Sequence, residues 1–393
     1  MQLFLKMNNI SQTHNCFGCG VCAIACSKQI ISIRLNVDGF YEPYIAESEK
    51  CTECGLCVEV CSYSHEDYAL RNTSLHSYGA WSKEHAVRKK CSSGGVAFEI
   101  GRFLISQGYK VLGCKYNVDD NRAEHYLAST VEELIPSIGS KYIQSYTVKG
   151  LKQIDKKQKY LVTGTPCQID SFRRYIQKFR CEDNFVLMDF FCHGVPSKLM
   201  WDNYVKLAEK KVGKLTYVSW RNKQTGWHDS WSMAIDGEEH GESVNWHAPY
   251  NVLIKGKKSF LNSQWSRGDL FYKFFLSDAC LGKACYNKCR FKYDKSSADI
   301  RLGDFWGSTY SADENGVSAL VSFTDKGYRT LNALGNVVLI ETPFKIVSEG
   351  QMKENPKQKV ITPLIKFLLR KNISLTNPLY RLVFFFQRII INH

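Results

Sequence analysis

The chain contains the stretch Cys16-Phe17-Gly18-Cys19-Gly20-Val21-Cys22-Ala23-Ile24-Ala25-Cys26. Its cysteines follow the spacing Cys-x2-Cys-x2-Cys-x3-Cys, and the same spacing returns in Cys51-Thr52-Glu53-Cys54-Gly55-Leu56-Cys57-Val58-Glu59-Val60-Cys61. Each cysteine of the second stretch lies 35 positions after its counterpart, since 51 − 16 = 35. The pattern is therefore that of a duplicated unit.

This spacing is typical of paired iron–sulfur clusters. Three thiolates on a tight loop bind one cube, and the fourth points toward a neighbouring cube. Zinc sites usually show two Cys-x2-Cys pairs separated by a longer loop, and disulfides need an oxidising compartment to which nothing in the sequence directs the chain. The sequence thus predicts a bacterial-type ferredoxin domain over residues 1–70 with two [4Fe–4S] clusters, one bound by Cys16, Cys19, Cys22 and Cys61, the other by Cys51, Cys54, Cys57 and Cys26.

Length and charge limit what the rest of the chain can be. At 393 residues the chain has room for two or three domains. The formal charge of +14 comes from 52 basic and 38 acidic residues. Each bound cluster with its thiolates carries roughly two negative charges that offset part of this excess. The basic residues are dispersed and accompany no nucleic-acid-binding motif, so no nucleic-acid partner is expected.

The sequence contains no signal peptide and no apolar run long enough to span a bilayer, which favours a cytoplasmic location.

Residues 71–90 are polar and are predicted to form a linker. Beyond it, apolar strands at 111–114, 160–163 and 185–191 alternate with helices at 96–106, at 169–179 and from Lys198 onward. This alternation predicts an α+β or α/β body with a mostly parallel sheet flanked by helices. Ligands on such sheets gather at the carboxyl ends of the strands. Cys167 and Cys192 each follow a strand, so we expect them to face one site.

Further cysteines suggest a third centre. Cys285 and Cys289 are four residues apart, and with Cys167 and Cys192 they supply the four thiolates of a third [4Fe–4S] cluster. Cys280 is the alternative ligand. Other cysteines lack any partner spacing and are predicted to be structural, namely Cys91, Cys114 and Cys181.

A turn of small residues, Ser92-Ser93-Gly94-Gly95, opens the first helix of the body. Such a turn leaves backbone N–H groups at the helix start free to bind a phosphate or pyrophosphate. An ordinary serine cap with a glycine turn is the alternative.

Several motifs together resemble one family. They are the tandem cysteine motif, Ser92-Ser93-Gly94-Gly95, Gly164-Thr165-Pro166-Cys167-Gln168, Cys192-His193-Gly194-Val195-Pro196-Ser197, Arg221-Asn222-Lys223, Gly226-Trp227 and Gly303-Asp304-Phe305-Trp306-Gly307. In this order, over about residues 1–310, they resemble the coenzyme F420 hydrogenase/dehydrogenase beta subunit family with a fused N-terminal ferredoxin domain. In that family the last cysteine pair is commonly Cys-x2-Cys, whereas Lys288 makes it Cys285-x3-Cys289 here.

The resemblance implies FAD beside the third cluster, a flavin-binding region over residues 71–200 and a region with cluster ligands over 201–355. The residues it points to as cofactor-binding are Ser92, Ser93, Gly94, Gly95, Gly164, Thr165, Gln168, Arg221, Lys223 and Asp304. Arg221 and Lys223 would neutralise flavin phosphates or an anionic substrate, or else lie in solvent. Asp304 would bind a ribityl hydroxyl or simply close a turn.

The predicted function is that of an iron–sulfur flavoprotein oxidoreductase. An iron–sulfur cluster transfers one electron at a time, whereas a hydride carrier transfers two together. A flavin can exchange either one or two electrons, so it can connect the two kinds of transfer. We expect hydride transfer to or from a small organic substrate, coenzyme F420-like or other, with ferredoxin or a redox-complex subunit as partner. The alternative is a non-catalytic electron-transfer subunit of a larger complex. His193 is the predicted catalytic residue, as a proton or hydrogen-bond donor, unless it fixes its turn through backbone bonds.

Two further segments, one rich in tryptophan and one at the C-terminal end, each allow more than one structural interpretation. The five tryptophans Trp220, Trp227, Trp231, Trp246 and Trp265 form either a stacking platform or a β-sheet core. The tail, residues 356–393, alternates apolar and basic residues and is predicted to form two amphipathic helices broken at Asn377-Pro378. It would dock on the body or an oligomer partner, or attach peripherally to the inner membrane surface.

Overall fold

The computed structural model describes residues 8–70, 75–221, 223, 226–228, 233–238 and 269–391, with the side chains of the last helix described to Gln387. The strands are β1 (Ile31–Leu35), β2 (Tyr41–Ile45), β3 (His76–Ser82), β4 (Lys110–Asn117), β5 (Arg122–Ala128), β6 (Ser145–Tyr146), β7 (Tyr160–Thr163), β8 (Phe185–Phe190), β9 (Leu215–Ser219), β10 (Ala234–Gly237), β11 (Ile300–Asp304), β12 (Ser318–Ser322) and β13 (Val337–Glu341).

The described α-helices are α1 (Val21–Ala25), α2 (Leu56–Glu59), α3 (His85–Lys90), α4 (Val96–Ser106), α5 (Val131–Leu134), α6 (Val148–Leu151), α7 (Pro166–Lys178), α8 (Lys198–Val212), α9 (Leu270–Leu276), α10 (Lys283–Asn287), α11 (Asp325–Asn332), α12 (Phe344–Val347), α13 (Thr362–Arg370) and α14 (Pro378–Ile391). Short 3-10 turns lie at Ile10–Gln12, Ser48–Lys50, Ser62–Ser64, Ile135–Ser137 and Glu182–Asn184.

The duplication in the sequence is a duplication in the fold. Helices α1 and α2 begin after Gly20 and Gly55, whose φ angles are 75° and 74°. This left-handed conformation favours glycine, because a Cβ would strain it. It turns each cysteine loop into a short helix at the same point of both copies. Strands β1 and β2 pair as an antiparallel hairpin beside the helices.

A nine-stranded sheet in the order β13-β3-β12-β11-β8-β7-β4-β5-β6 forms the body. Its four central strands, β11, β8, β7 and β4, are parallel. They bury apolar residues on both faces, as parallel strands covered by helices do; Leu161, Val186 and Leu187 are fully buried. Antiparallel pairings of β12, β3, β13 and β5 extend the sheet on both sides. The predicted ferredoxin domain followed by an α/β body with a parallel core is confirmed.

The linker prediction for residues 71–90 is wrong over its described part. Residues 76–82 form β3, which pairs with β12 and β13 inside the sheet, and residues 85–90 form α3. The serine hydroxyls of this strand have hydrogen-bond acceptors inside the protein. Ser77 Oγ donates to Thr342 O at 2.6 Å, and Ser82 Oγ donates to Glu99 Oε1 at 2.5 Å. Serine hydroxyls with internal partners make a buried strand look like a linker in the sequence.

Helix α7 begins at Pro166, earlier than the predicted 169. Thr165 and Gln168 form a reciprocal capping box, and proline occupies the first turn. Proline needs no N–H bond there, and the box satisfies two free backbone donors. The helix therefore starts beside Cys167.

The tail forms the two predicted helices, α13 and α14, with the break at residues 371–377. Their inner sides pack on the body through Ile365, Leu368, Tyr380 and Val383, and Phe274 meets the ring of Tyr380 edge-on at 5.2 Å. None of the helices in the described ranges has the length and apolar character needed to cross a bilayer.

Candidate functional site

The eight cysteines of the ferredoxin domain form two groups. In the first group (Cys16, Cys19, Cys22 and Cys61), burial raises the pKa of Cys16, Cys19 and Cys22, and the nearby Cys61 thiolate raises each further. The second group (Cys26, Cys51, Cys54 and Cys57) lines one small pocket, in which Cys54 is solvent-exposed. These are the two sets that the spacing predicts, and cluster binding by them stays a prediction.

A third group brings together Cys167, Cys192, Cys285 and Cys289. Burial raises the pKa of Cys167, and the thiolates of Cys192, Cys289 and Cys285 raise it further. Burial likewise raises the pKa of Cys285 to about 12, with Cys192 and Cys289 adding to the shift. Cys280 lies in the apolar core with Trp201 and Phe271, where burial raises its pKa to about 12 with no contribution from another described cysteine. The structure thus groups the four predicted residues and separates the alternative ligand from them.

Two loops hold the third group in place. The backbone of residues 195–197 pairs with that of 280–282, through Gly282 N to Val195 O at 3.0 Å and Ser197 N to Cys280 O at 2.9 Å. Gly194 sits in this contact with φ +144°, where a Cβ would lie 3.8 Å from Cys285 Sγ. The backbone pairing therefore sets the approach of Cys192 to Cys285.

Helix α7 links the third group to the first. Cys167 lies in its first turn, with its Sγ 3.2 Å from Thr165 Oγ1. One turn later, Ser171 Oγ lies 3.3 Å from Cys19 Sγ and accepts a hydrogen bond from Ser62 N at 2.9 Å. One helical turn rises about 5.4 Å, so the two groups are neighbours. Phe17 packs with Cys167 and Cys289 in the same apolar cluster.

A cavity of about 650 Å³ opens at the carboxyl ends of the parallel strands. It is lined by Cys114 of β4, Thr163 of β7, Phe190 of β8 and Asp304 of β11, as the parallel-sheet rule predicts. Cys192 and His193 also line it, so the third cysteine group borders the cavity. Of the ten predicted cofactor-binding residues, eight line the cavity: Ser92, Ser93, Gly95, Gly164, Thr165, Gln168, Arg221 and Asp304.

Gly94 and Lys223 are outside that lining, and both shape the Ser-Ser-Gly-Gly turn. A Cβ on Gly94 would lie 2.3 Å from Ala80 O, so the turn packs too closely on β3 for any side chain. Lys223 Nζ donates to the backbone oxygens of Arg88 at 2.7 Å, Ser93 at 2.5 Å and Asn315 at 2.6 Å. Its ammonium thus positions the turn, and burial lowers its pKa to about 8.

The turn presents the start of α4 to the cavity. Gly95 precedes the helix with φ 84° and makes no side-chain cap with any described residue. Gly95, Val96 and Ala97 line the cavity. Ser93 Oγ donates to Val317 O at 2.7 Å, whereas Ser92 Oγ accepts from Ser140 N at 2.9 Å. The serines thus fix the loop, and the N–H groups of the first helical turn are placed to meet a ligand.

Arg221 and Asp304 form an ion pair at the cavity wall. Arg221 Nη1 lies 3.3 Å from Asp304 Oδ2, and Trp227 Nε1 donates to Asp304 Oδ1 at 2.9 Å. Burial by itself lowers the pKa of Arg221, but the Asp304 carboxylate helps to raise that pKa above its ordinary value. The guanidinium and the indole N–H together hold the Asp304 carboxyl as a hydrogen-bond acceptor at the cavity wall.

His193 faces the cavity beside the third group. Its Nε2 lies 2.7 Å from Asp278 Oδ1, and its ring packs on Phe275 with 4.8 Å between ring centroids. Lys292 Nζ donates to the backbone oxygens of Cys192 and His193 at 2.5 and 2.9 Å. The side chain is thus oriented by a carboxylate, and the turn is fixed by a lysine.

Sequence reasoning missed Asp278, His125 and Lys141. His125 Nε2 donates to Thr163 O at 3.0 Å, and its Nδ1 has no hydrogen-bond partner among the described residues. Burial lowers its pKa to about 4, so the ring is neutral and Nδ1 is an acceptor. Lys141 donates to several carbonyls, among them Ser137 O at 2.9 Å. The Gly139-Ser140 turn before Lys141 was an available signal, whereas Asp278 and His125 carry none.

The remaining candidates occupy different places. Cys91 and Cys114, predicted to be structural, both line the cavity, whereas Cys181 follows the end of α7. Trp220 and Trp227 are fully buried, and Trp227 stacks on Trp306 at 5.5 Å. Core packing therefore accounts for these two tryptophans. Trp231, Trp246 and Trp265 lie outside the described residues, as does Asn222.

No three cysteine, histidine or acidic side chains in the described ranges are arranged to hold a single metal ion. A cubane differs from such a site, because its four thiolates bind four different irons at separate corners.

Comparison with known sequences identifies two domains in the chain. Residues 157–344 match the family model for the C terminus of the "Coenzyme F420 hydrogenase/dehydrogenase, beta subunit", and residues 15–64 match the "4Fe-4S dicluster domain". The chain therefore contains the C-terminal domain of the coenzyme F420 hydrogenase/dehydrogenase beta subunit family. It carries the dicluster domain ahead of the family's C-terminal domain, which confirms the resemblance seen in its motifs. Iron–sulfur clusters and an oxidoreductase family are thereby supported.

Among solved structures, the chain is similar to one from the F420-reducing [NiFe] hydrogenase complex of Methanosarcina barkeri, in a study of its xenon derivatization. The two are 18% identical, the match covers 79% of this chain and 92% of that one, and the TM-score is 0.43. No curated protein matches the chain.

Proposed function

We propose that this protein is an iron–sulfur flavoprotein oxidoreductase that passes electrons between ferredoxin-type clusters and FAD, and exchanges hydride with a small organic substrate. The observation that carries the proposal is the position of the third cysteine group. Cys167 packs against the apolar cluster that includes Phe17 of the ferredoxin domain, while Cys192 lies on the cavity wall. A redox centre held by this group would lie between the ferredoxin domain and the cavity.

Contacts connect the three groups in the order second, first, third. The second group is nearest to solvent through Cys54. Cys57 of the second group acts electrostatically on Cys22 of the first, so these groups are adjacent. Helix α7 then connects the first group to the third. This order supports exchange with ferredoxin or a partner subunit at the Cys54 end and substrate chemistry at the cavity end.

The cavity fits a dinucleotide cofactor. Its volume of about 650 Å³ lies within the ~300–1,000 Å³ typical of cofactor sites. The uncapped start of α4 offers N–H groups and a positive dipole end to a pyrophosphate. Asp304 is held as an acceptor for a hydroxyl, and His125 Nδ1 is a buried acceptor that lacks a described partner. A flavin there would supply the conversion between one-electron and two-electron transfer.

His193 is positioned to transfer the proton that accompanies hydride exchange. Its imidazole borders the cavity and the third group, and Asp278 fixes the ring through Nε2. A carboxylate at that nitrogen orients the ring, so that the imidazole can act in proton transfer to a ligand in the cavity. The chain thus supplies a proton donor beside the site of hydride exchange.

Anaerobic purification with iron, sulfide and flavin analysis tests the proposal. About twelve irons and one FAD per chain are expected for three cubanes and one flavin. Cys285→Ser should reduce the iron content to about eight, whereas the matched variant Cys280→Ser should retain twelve. Absence of bound flavin from the purified protein would refute the enzyme assignment.

A second assay distinguishes the enzyme from an electron-transfer subunit. Flavin-loaded protein should by itself reduce a hydride acceptor, such as a deazaflavin, with dithionite or reduced ferredoxin as donor. A protein that reduces one-electron dyes but none of a panel of hydride acceptors is an electron-transfer subunit.

A further inference from the structure

We propose that the outward face of α13 and α14 binds the surface of a bilayer containing anionic lipids. The inner sides of both helices are packed on the body through residues such as Ile365 and Tyr380. The opposite side carries six large apolar residues that are 47–58% exposed. They define the outward apolar face: Leu364, Phe367, Leu379, Leu382, Phe385 and Phe386.

The spacing of these residues makes the face continuous along each helix. Leu379, Leu382 and Phe386 follow the i, i+3, i+7 pattern of one helical stripe. The stripe is separate from Tyr380 and Val383, which are buried against the body. Monomeric proteins seldom leave so many large apolar side chains side by side unless they contact another surface.

The charge of the segment specifies the chemistry of that surface. From Asn355 to His393 the sequence has seven basic residues and no acidic ones. The basic residues are Lys357, Lys359, Lys366, Arg370, Lys371, Arg381 and Arg388. Phenylalanine and leucine on one side with lysine and arginine around them is the composition of helices that lie in the membrane interface. An anionic leaflet meets both properties, because it attracts the basic residues and accepts the apolar ones.

Some of the basic residues bind the ferredoxin domain, and others are exposed to solvent. Arg370 Nε lies 2.6 Å from Asp38 Oδ1, and Lys366 Nζ lies 3.6 Å from Asp38 Oδ2. These two cations attach α13 to the loop between β1 and β2 of the ferredoxin domain. Lys371 and Arg381 are exposed and are available to lipid phosphates. Contact with a bilayer would therefore fix the orientation of the ferredoxin domain as well as the tail.

Sedimentation with lipid vesicles tests the inference on the full-length, cluster-loaded protein. We expect retention on vesicles of equal parts phosphatidylcholine and phosphatidylglycerol, weaker retention at high salt, and little on phosphatidylcholine alone. Phe385→Ser/Phe386→Ser should weaken partitioning at least tenfold. Lys371→Gln/Arg381→Gln should weaken it roughly 25-fold, because each charge near an anionic surface contributes about a fivefold gain.

Two controls keep the result specific. Ile340→Ser removes an apolar residue that is 44% exposed on β13, and Lys152→Gln/Lys157→Gln removes two exposed charges outside the tail. Both should bind vesicles like the unaltered protein. Equal binding to neutral and anionic vesicles, or unaltered binding by both tail variants, would overturn the proposal. A dimer that Phe385→Ser/Phe386→Ser dissociates, without vesicle binding, would assign the face to a second copy of the chain.

Discussion

Ser171→Ala offers the sharpest test of how the first and third cysteine groups are joined. Ser171 is fully buried in α7. Its Oγ accepts from Ser62 N at 2.9 Å and lies 3.3 Å from Cys19 Sγ. When Cys19 is a cluster-bound thiolate, the hydroxyl proton has that sulfur as its acceptor. The substitution removes this donor and leaves the Ser62 N–H without its partner.

The magnitude follows from the two lost bonds. An unpaired buried donor costs about 1–3 kcal/mol, so the free energy of unfolding should fall by that amount. A hydrogen bond to the sulfur stabilises the reduced cluster more than the oxidised one, because reduction adds a negative charge. A difference of about 1 kcal/mol between the two states corresponds to about 40 mV for one electron, at 59 mV per tenfold change. The potential of the first cluster should therefore decrease by about 40 mV.

Anaerobic redox titration followed by electron paramagnetic resonance measures this shift. Thr52→Ala is the matched control, since Thr52 is exposed beside Cys51. It should leave every potential unchanged. A Ser171→Ala protein that is less stable, yet has the same cluster potentials as the unaltered protein, would refute the bond to Cys19.

Three further predictions concern the cavity, its turn and the core. Asp278→Asn should slow hydride exchange tenfold or more, with iron and flavin contents unchanged. Adding His193→Gln to this variant should slow the exchange little further, because the two side chains act as one unit. Additive losses in the steady-state rates would contradict a shared role. Gly94→Ala should destabilise the fold and release flavin, because the new Cβ would lie 2.3 Å from Ala80 O. The control variant Gly335→Ala places its Cβ where no atom lies within 4 Å, so it should have the melting temperature of the unaltered protein. Equal melting temperatures and equal flavin retention in both variants would disprove the close approach at Gly94. Burial raises the pKa of Asp269 from 3.8 to about 6. Between these values the folded state keeps a proton that the unfolded state releases, so this residue lowers stability as pH rises, by up to about 3 kcal/mol. Urea denaturation of Asp269→Asn across this range should lack that contribution, and an identical pH profile would contradict it.

The cysteine sets could be predicted from the sequence because ligand spacing is a local property. Cys16, Cys19 and Cys22 follow one another at intervals of three positions on one loop, so their spacing alone identifies them as one ligand set. The strands at 160–163 and 185–190 were recognisable for the same reason, since continuous apolar runs mark buried parallel strands.

Other features depend on partners that are distant in the chain. Strand β3 resembled a linker because Ser77 and Ser82 find hydrogen-bond acceptors in Thr342 and Glu99 after folding. Lys223 was predicted to neutralise a flavin phosphate or an anionic substrate, or to lie in solvent, and its ammonium donates to three backbone carbonyls. Asp278 reaches His193 across 85 positions of sequence. Such contacts have no periodicity or spacing by which they could be found.

Helix α7 has a consequence for how the protein can evolve or be redesigned. Cys167 and Ser171 are separated by one turn of a single rigid helix, and the ferredoxin domain is fastened to that helix through Cys19 and Ser62. Electron exchange across this contact is thus expected to be independent of solvent viscosity, unlike that of a domain that swings between two docking positions. An unrelated ferredoxin attached by a long tether would lack this fixed spacing, however well its own clusters were formed.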